Sequence, residues 1–291
     1  MSSGVNRMGT RSTELNGHDD ERGATDGVAA RAGNGTEVAS RVGSILALFV
    51  AKSGSIGVSE ASRELGLSKA VVHRILQSLV TQGLVSADVD RRRYRLGPLA
   101  VALGARAYAE SDLRRAALPA LYALSEQSTE TATVSHRIGL SRVYLDQAIS
   151  DREIRMSVEL GRPYPLHGGS SGKAILAFCD EGTRDAVLDR LTPLTPTTIT
   201  DRASLEQELA EIRRRGVAIS FGERQAGAAS VAAPVFGADG LVVGSLSVCG
   251  PVDRFTEEVI AGLVELVPAG AGTVTRRLSD PASHRVAPVA R

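Results

Sequence analysis

The stretch "LSKAVVHRILQSLVTQGLV", residues 67–85, constrains the fold of this chain more than any other. At the helical step of 100° per residue, Val72, Ile75, Leu76 and Leu79 fall on one side, and Ala70, His73, Arg74, Gln77 and Thr81 on the other. Ser68 stands where an N-cap belongs and Gly83 where a C-cap belongs. Upstream, "SRVGSILALFVAKSG" predicts a helix opening at Ser40, with Val42, Ile45, Leu46, Leu48 and Phe49 toward a core. "GVSEASRELGLS" predicts a shorter one, capped by Ser59 and stopped by Gly66. Downstream, "LVSADVDRRRYRLG" predicts two short strands around an Asp/Arg turn.

A short helix, a tight turn, a second helix and a basic hairpin make a winged helix-turn-helix, whose second helix lies in the major groove of double-stranded DNA. Ser68 and Lys69 are then placed to meet phosphates, and Ala70, His73, Arg74 and Gln77 to reach base edges. Arg91, Arg92 and Arg93 would lie on the DNA backbone or in the minor groove. Charge agrees. Residues 38–97 hold nine Lys/Arg against four Asp/Glu, while the segments on either side are slightly acidic. A basic excess confined to one segment is what a local nucleic-acid contact requires.

The remaining chain is long enough for a second core. An Ala-rich helical stretch, "PLAVALGARAYAESDLRRAALPALYALSEQS", precedes the strands "TATVSHRI", "SRVYLDQA" and "REIRMSVEL". A Gly/Ser loop, the helix "GKAILAFC", helices at about 181–191 and 203–215, the strands "GVAISF", "ASVAAPVF" and "LVVGSLSVC", and a helix over about 254–277 follow. This order predicts a mixed α/β, α+β chain. Residues 1–37 and 279–291 lack large apolar groups and are expected to be disordered tails, with Met8 an alternative start. No apolar run is expected to span a membrane, and the two cysteines, Cys179 and Cys249, form neither a disulfide framework nor a metal-ligand spacing, which fits a cytoplasmic protein without a cofactor.

"HGGSSGKA" admits several readings. It is no P-loop, because only three residues separate Gly168 from Gly172 and Ala174 replaces the magnesium-binding hydroxyl. It spells G-x-S-x-G over Gly168–Gly172, so a hydrolase stays an alternative, although the only later histidine is His284. The third reading is binding: Ser170 and Ser171 open a helix whose free N–H groups suit an anion. Ser245, Ser247 and Cys249 alternate onto one strand face, a fit for the floor of a polar pocket or for a face simply exposed. His136 and His167 are expected to be packed or loop histidines.

Four separated blocks carry a resemblance: "SKAVVHRILQSLVTQGLV", "YRLGPLAVALG", "GRPYPLHGGSSGKAILA" and the run from "DRASLEQELAEIRRRGVAISFGERQ" to "GPVDRF". Over residues 38–278 the chain resembles the IclR family of bacterial transcription regulators. The resemblance implies a winged helix over 38–97, a dimerising linker helix over 98–112, and a GAF/PAS-like effector-binding domain over 113–278. It also implies repressor-type regulators that act as dimers or dimers of dimers on palindromic operators. Effector contacts are then expected from Ser170, Ser171, Ala228, Ser230, Ser247 and Cys249. Ser220 stands where the family often has an acid, and Glu223 and Gly227 are expected to hold a turn. An effector-independent DNA-binding protein is the other alternative.

Overall fold

The structure, a computed structural model, describes residues 21–52 and 54–280, with side chains from residue 36 onward. The expectations for Met8, for His284 and for residues 281–291 fall outside the described residues.

In the N-terminal domain the order is α1 (Glu21–Ala51), β1 (Ile56–Gly57), α2 (Val58–Leu65), α3 (Lys69–Thr81), β2 (Val85–Asp88) and β3 (Arg93–Leu96). The apolar stripe of α3 forms the core with Ile45, Leu48 and Phe49 of α1, Ala61 of α2, and Val85 and Tyr94 of the wing. Three expectations shift. α1 does not open at Ser40 but runs back to Glu21, into the segment expected to be a tail. Gly57, not Ser59, precedes α2: it pairs with Arg93 in the sheet, and the chain turns into the helix directly from that extended residue. That pairing also makes the wing a three-stranded sheet, in the order β1-β3-β2. Gln82 closes α3, and Gly83 follows at φ 75°, a left-handed conformation that suits glycine.

The Ala-rich stretch is two helices, α4 (Pro98–Glu110) and α5 (Asp112–Ser128), because Ser111 turns extended and its Oγ accepts the Arg114 N–H at 3.3 Å. No residue of α4 is buried.

The C-terminal domain continues with β4 (Thr131–Ile138), β5 (Ser141–Ala148), β6 (Pro163–Pro165), α6 (Ser170–Leu176), α7 (Glu181–Leu188) and α8 (Arg202–Arg215). It ends with β7 (Ala218–Phe221), β8 (Ala228–Phe236), β9 (Val242–Pro251) and α9 (Glu257–Ser279). The six strands form one antiparallel sheet in the order β6-β5-β4-β9-β8-β7. On one face Leu121 and Leu124 of α5 and Leu263, Val267 and Val274 of α9 pack on Val134, Val231, Leu246 and Val248. On the other, Ile175 and Leu176 of α6 pack with Leu205, Leu209 and Ile212 of α8. Residues 152–160, expected as a strand, make only an isolated bridge from Leu160 to Tyr144, and the edge strand is β6 instead. Among the described residues one helix is long and apolar enough to cross a membrane, contrary to the expectation that no run would be; it is α9, and its apolar stripe is seated on the sheet.

Candidate nucleic-acid interface and effector cavity

Lys69, Ala70, His73, Arg74 and Gln77 are all exposed on one side of α3. Ser68 caps the helix, its Oγ accepting the Val71 N–H at 3.3 Å. Beside them lies a cleft of about 720 Å³ between α2, α3 and the wing, lined by Arg63, His73, Gln77, Asp88 and Arg92 among others. Gln77 is partly committed, since its Nε2 donates to the Tyr94 hydroxyl at 3.0 Å and ties α3 to β3.

The three wing arginines separate. Arg91 and Arg92 are exposed at the turn. Arg93 points back into the domain, where its guanidinium donates to Ser55 Oγ at 2.8 Å, to the Ser55 carbonyl, and to Glu60 at 3.0 Å. It braces the wing and does not extend from it. Arg95, which the sequence reading passed over, is exposed one pleat along β3, inside the same basic run. Glu60 is the anchor opposite: hydrogen bonds from Lys52 and the Gly57 N–H lower its carboxyl pKa to about 2.

In the second domain Ser170, Ser171, Ala228, Ser230, Ser247 and Cys249 all line one cavity, between α6, the sheet and the turn 222–227. The strand face that alternation left open between pocket and solvent is covered: Ser245 and Ser247 are 1% exposed. Ser170 Oγ donates to Ser230 Oγ at 2.7 Å, and Ser171 Oγ to Ser247 Oγ at 2.9 Å. Ser247 Oγ also lies 2.7 Å from Thr133 Oγ1. Burial pushes the Cys249 thiol up to about 11, so it stays protonated.

Glu223 and Gly227 hold the turn as expected. Glu223 accepts from the buried Lys173 at 2.6 Å, its backbone carbonyl accepts from Thr198 at 2.7 Å, and Gly227 has φ 76°. α6 is only seven residues long, and Gly172 lets it lie close to the preceding loop, where a Cβ would come within 2.5 Å of the Leu166 carbonyl.

The sequence reading missed the charged residues of the cavity. Arg142 on β5 is 1% exposed; it donates to Ser135 Oγ at 3.2 Å and to the Tyr144 hydroxyl at 3.1 Å. Its Nε has no hydrogen-bond partner. Arg224, on the turn, lines the mouth with Gln225. The alternation of "SRVYLDQA" carried a signal, Arg142 and Tyr144 interleaved with Val143 and Leu145, but not that both sheet faces are covered. A bulge opposite Val134 and Ser135 then re-aims the strand. Beyond it Asp146 accepts from Tyr108 of α4 at 3.0 Å and pairs with Arg114 of α5 at 2.8 Å.

The G-x-S-x-G segment is not arranged for hydrolysis. Ser170 donates to a serine, and His167 Nε2 lies 2.8 Å from the Thr192 carbonyl. His136 is mostly buried, which lowers its pKa, and its Nδ1 has no hydrogen-bond partner. Among the described residues no cluster of His, Cys, Asp or Glu is placed to hold a metal.

Two family models match. The IclR helix-turn-helix domain covers residues 38–89, and the bacterial transcriptional regulator IclR C-terminal domain covers residues 105–276. The chain is 31% identical to the HTH-type transcriptional regulator BhcR of Paracoccus denitrificans over 84% of its own length and 88% of that protein's. It is 36% identical to the glycerol operon regulatory protein of Streptomyces griseus, over 79% and 90%. A crystal structure of an IclR-type regulator from Silicibacter sp. TM1040 superposes with a TM-score of 0.77 at 34% identity, covering 83% of this chain and 96% of that one. A helix-turn-helix with a basic wing that one family model matches, followed by a sheet domain that the other matches, leaves no room for the enzyme alternative: the chain belongs to the IclR family and is a DNA-binding transcription regulator of that type.

Proposed function

We propose that the operator affinity of this regulator is controlled by a small polar metabolite, an organic acid or a close relative, bound in the cavity between α6 and the sheet. The observation that carries this reading is convergence: six residues from three distant segments line one enclosed polar cavity, remote from the DNA-reading helix. Polar groups converging in a concave site suit a ligand that is held by hydrogen bonds. Ser68, Lys69, Ala70, His73, Arg74 and Gln77, with Arg91 and Arg92 and now Arg95, form the DNA surface. The domain boundaries near residues 97 and 112 follow the wing's end and the break at Ser111.

A second copy of the chain completes the reading. α4 exposes Leu99, Val101, Leu103 and Tyr108, an apolar surface that a partner α4 would cover, as a dimer or a dimer of dimers. Two copies related by a two-fold axis read a palindromic operator. The effector binds one arrangement of the dimer better and so shifts the spacing of the two α3 helices. A regulator of this kind acts where the chromosome is, in the cytoplasm, and without a cofactor; repression is the expected sign of control. The test is footprinting on the protein's own upstream region, followed by operator titration with metabolites of the pathway encoded beside it. A symmetric footprint lost or strengthened with one metabolite is expected. A footprint indifferent to all of them favours the effector-independent alternative.

A further inference from the structure

The charges around the cavity do not balance. Arg142 sits out of water with only hydroxyl partners, and hydroxyl groups satisfy hydrogen bonds without cancelling charge. The acids nearby are already taken. Glu223 is paired with Lys173 at 2.6 Å, and Glu130, close enough to act on Cys249, receives Arg254 Nη2 at 2.8 Å. The guanidinium of Arg224 meets only the Gln225 side-chain oxygen, at 3.4 Å. Both guanidiniums stack on the same two rings. Arg142 Cζ lies 4.4 and 5.5 Å from the centres of Tyr144 and Tyr164, and Arg224 Cζ lies 5.7 and 5.2 Å from them. Ring faces soften the cost of a cation but leave two like charges side by side. Glu223 also lines the cavity, but its charge is held by Lys173, and the rest of the lining is neutral: serines, alanines, Gly169, Tyr144, Gln225 and Cys249.

Resting on the reading of this cavity as the effector site, we propose that the effector is a small dianion. Arg142 holds one negative charge at the buried end and Arg224 holds the other at the mouth. A monoanion would leave one guanidinium uncompensated, and a neutral ligand both. The uncompensated charge of Arg142 out of water is costly, and the half-exposed Arg224 adds a second positive charge at the mouth, so the pair is poised to accept two negative charges. Size is bounded as well. The cavity is about 20 Å³, little more than a water molecule needs, so a short ligand enters by moving the Arg224 and Gln225 side chains aside at the mouth, and Arg224 closes in behind it. A dicarboxylate of a few carbons and a phosphate ester share this chemistry.

Calorimetric titration of the full-length protein at about pH 8 and constant ionic strength tests it, with malonate, succinate and inorganic phosphate, all dianions at that pH, acetate as monoanion and glycerol as neutral probe. At least one dianion is expected to bind ten-fold or more tightly than acetate, and phosphate against the dicarboxylates tells which source of charge fits. Arg224→Gln should erase that preference while leaving acetate within about three-fold. Arg142→Met should abolish binding of all anions while circular dichroism and operator binding show the fold intact. Dianions no tighter than acetate, a preference that survives Arg224→Gln, or anion binding that survives Arg142→Met overturns the proposal. Dianion binding with no change in operator affinity supports the two-charge site and removes the effector reading. An effector found to be neutral or singly charged, acting through Ser171 and Ser247, does the reverse.

Discussion

Arg74, Arg92 and Arg93 carry the same charge to three different ends. Arg74 is exposed on the polar face of α3, Arg92 on the wing turn, and Arg93 is folded back onto Ser55 and Glu60. Arg74→Ala is expected to cost about 1–3 kcal/mol of operator binding and to relax preference at one base pair. Arg92→Ala should weaken all sequences alike and reduce the salt dependence by about one unit. Anisotropy titrations over a range of salt, on the operator and on a scrambled duplex, separate the two. Arg93→Ala should instead lower the melting temperature of the N-terminal domain. Ser247 shows the same principle in the sheet. Its hydroxyl links Thr133 to Ser171, so Ser247→Val strands two buried hydroxyls and is expected to cost about 1–3 kcal/mol of stability, read by chemical unfolding. Any loss of effector response in that variant must be measured well below its melting temperature.

Among the elements, two junctions carry the argument. α1 and α2 are clamped by Lys52 and Glu60, whose carboxyl is held at about 2 against an ordinary 4.5. A carboxylate depressed by folding stabilises the fold above its unfolded pKa, and that contribution is lost as pH falls through the range from about 4.5 to 2. The N-terminal domain should therefore lose stability in this window, and Glu60→Gln should flatten that part of the curve; melting temperature against pH for both proteins checks it. The second junction is β5. Its bulge lets Arg142 and Tyr144 face the cavity while Asp146 holds Tyr108 of α4 and Arg114 of α5. Asp146→Asn keeps the shape but loses the charge. It is expected to leave effector affinity within a few-fold and to shrink the effector-induced change in operator affinity, measured as paired titrations with and without effector. An undiminished change would take β5 out of the coupling.

For the whole molecule, the exposed apolar helix between the domains is the contact proposed for a second copy of the chain. Val101 is 70% exposed and Leu103 54%, on a helix that buries nothing within its own chain. A surface of that kind on one connected helix marks an interaction site. Replacing Val101 and Leu103 together by Glu is expected to shift the protein toward monomer in sedimentation velocity and to weaken operator binding at least ten-fold, with the melting temperature of the N-terminal domain unchanged. A dimer that persists would move the contact to another face, the groove between α5 and α9 being the next to examine.

The residue pattern by itself determined the winged helix. A single helix with Val72, Ile75, Leu76 and Leu79 on one side, a serine cap and a following basic hairpin leave few other ways to bury one stripe and expose the other. It also pointed to two of the segments that line the cavity, because small hydroxyl residues at period two and a Gly/Ser loop before a helix are local signals; the segment of Ala228 and Ser230 came from the family resemblance. What it left open are consequences of long-range packing. Whether the Ser245–Cys249 face is wet or covered depends on where α6 lies, and α6 is placed by the close approach of Gly172 to the chain at Leu166. The direction of Arg93 depends on β1, two residues long and too short for any periodicity to show. Arg142 is the clearest case: in the chain it is one arginine of a strand of ordinary alternation, and only the tertiary structure encloses it beside Arg224 with every neighbouring carboxylate already paired. Local pattern sets which side chains share a face, but burial and charge balance are sums over elements distant in sequence, and those the fold alone decides.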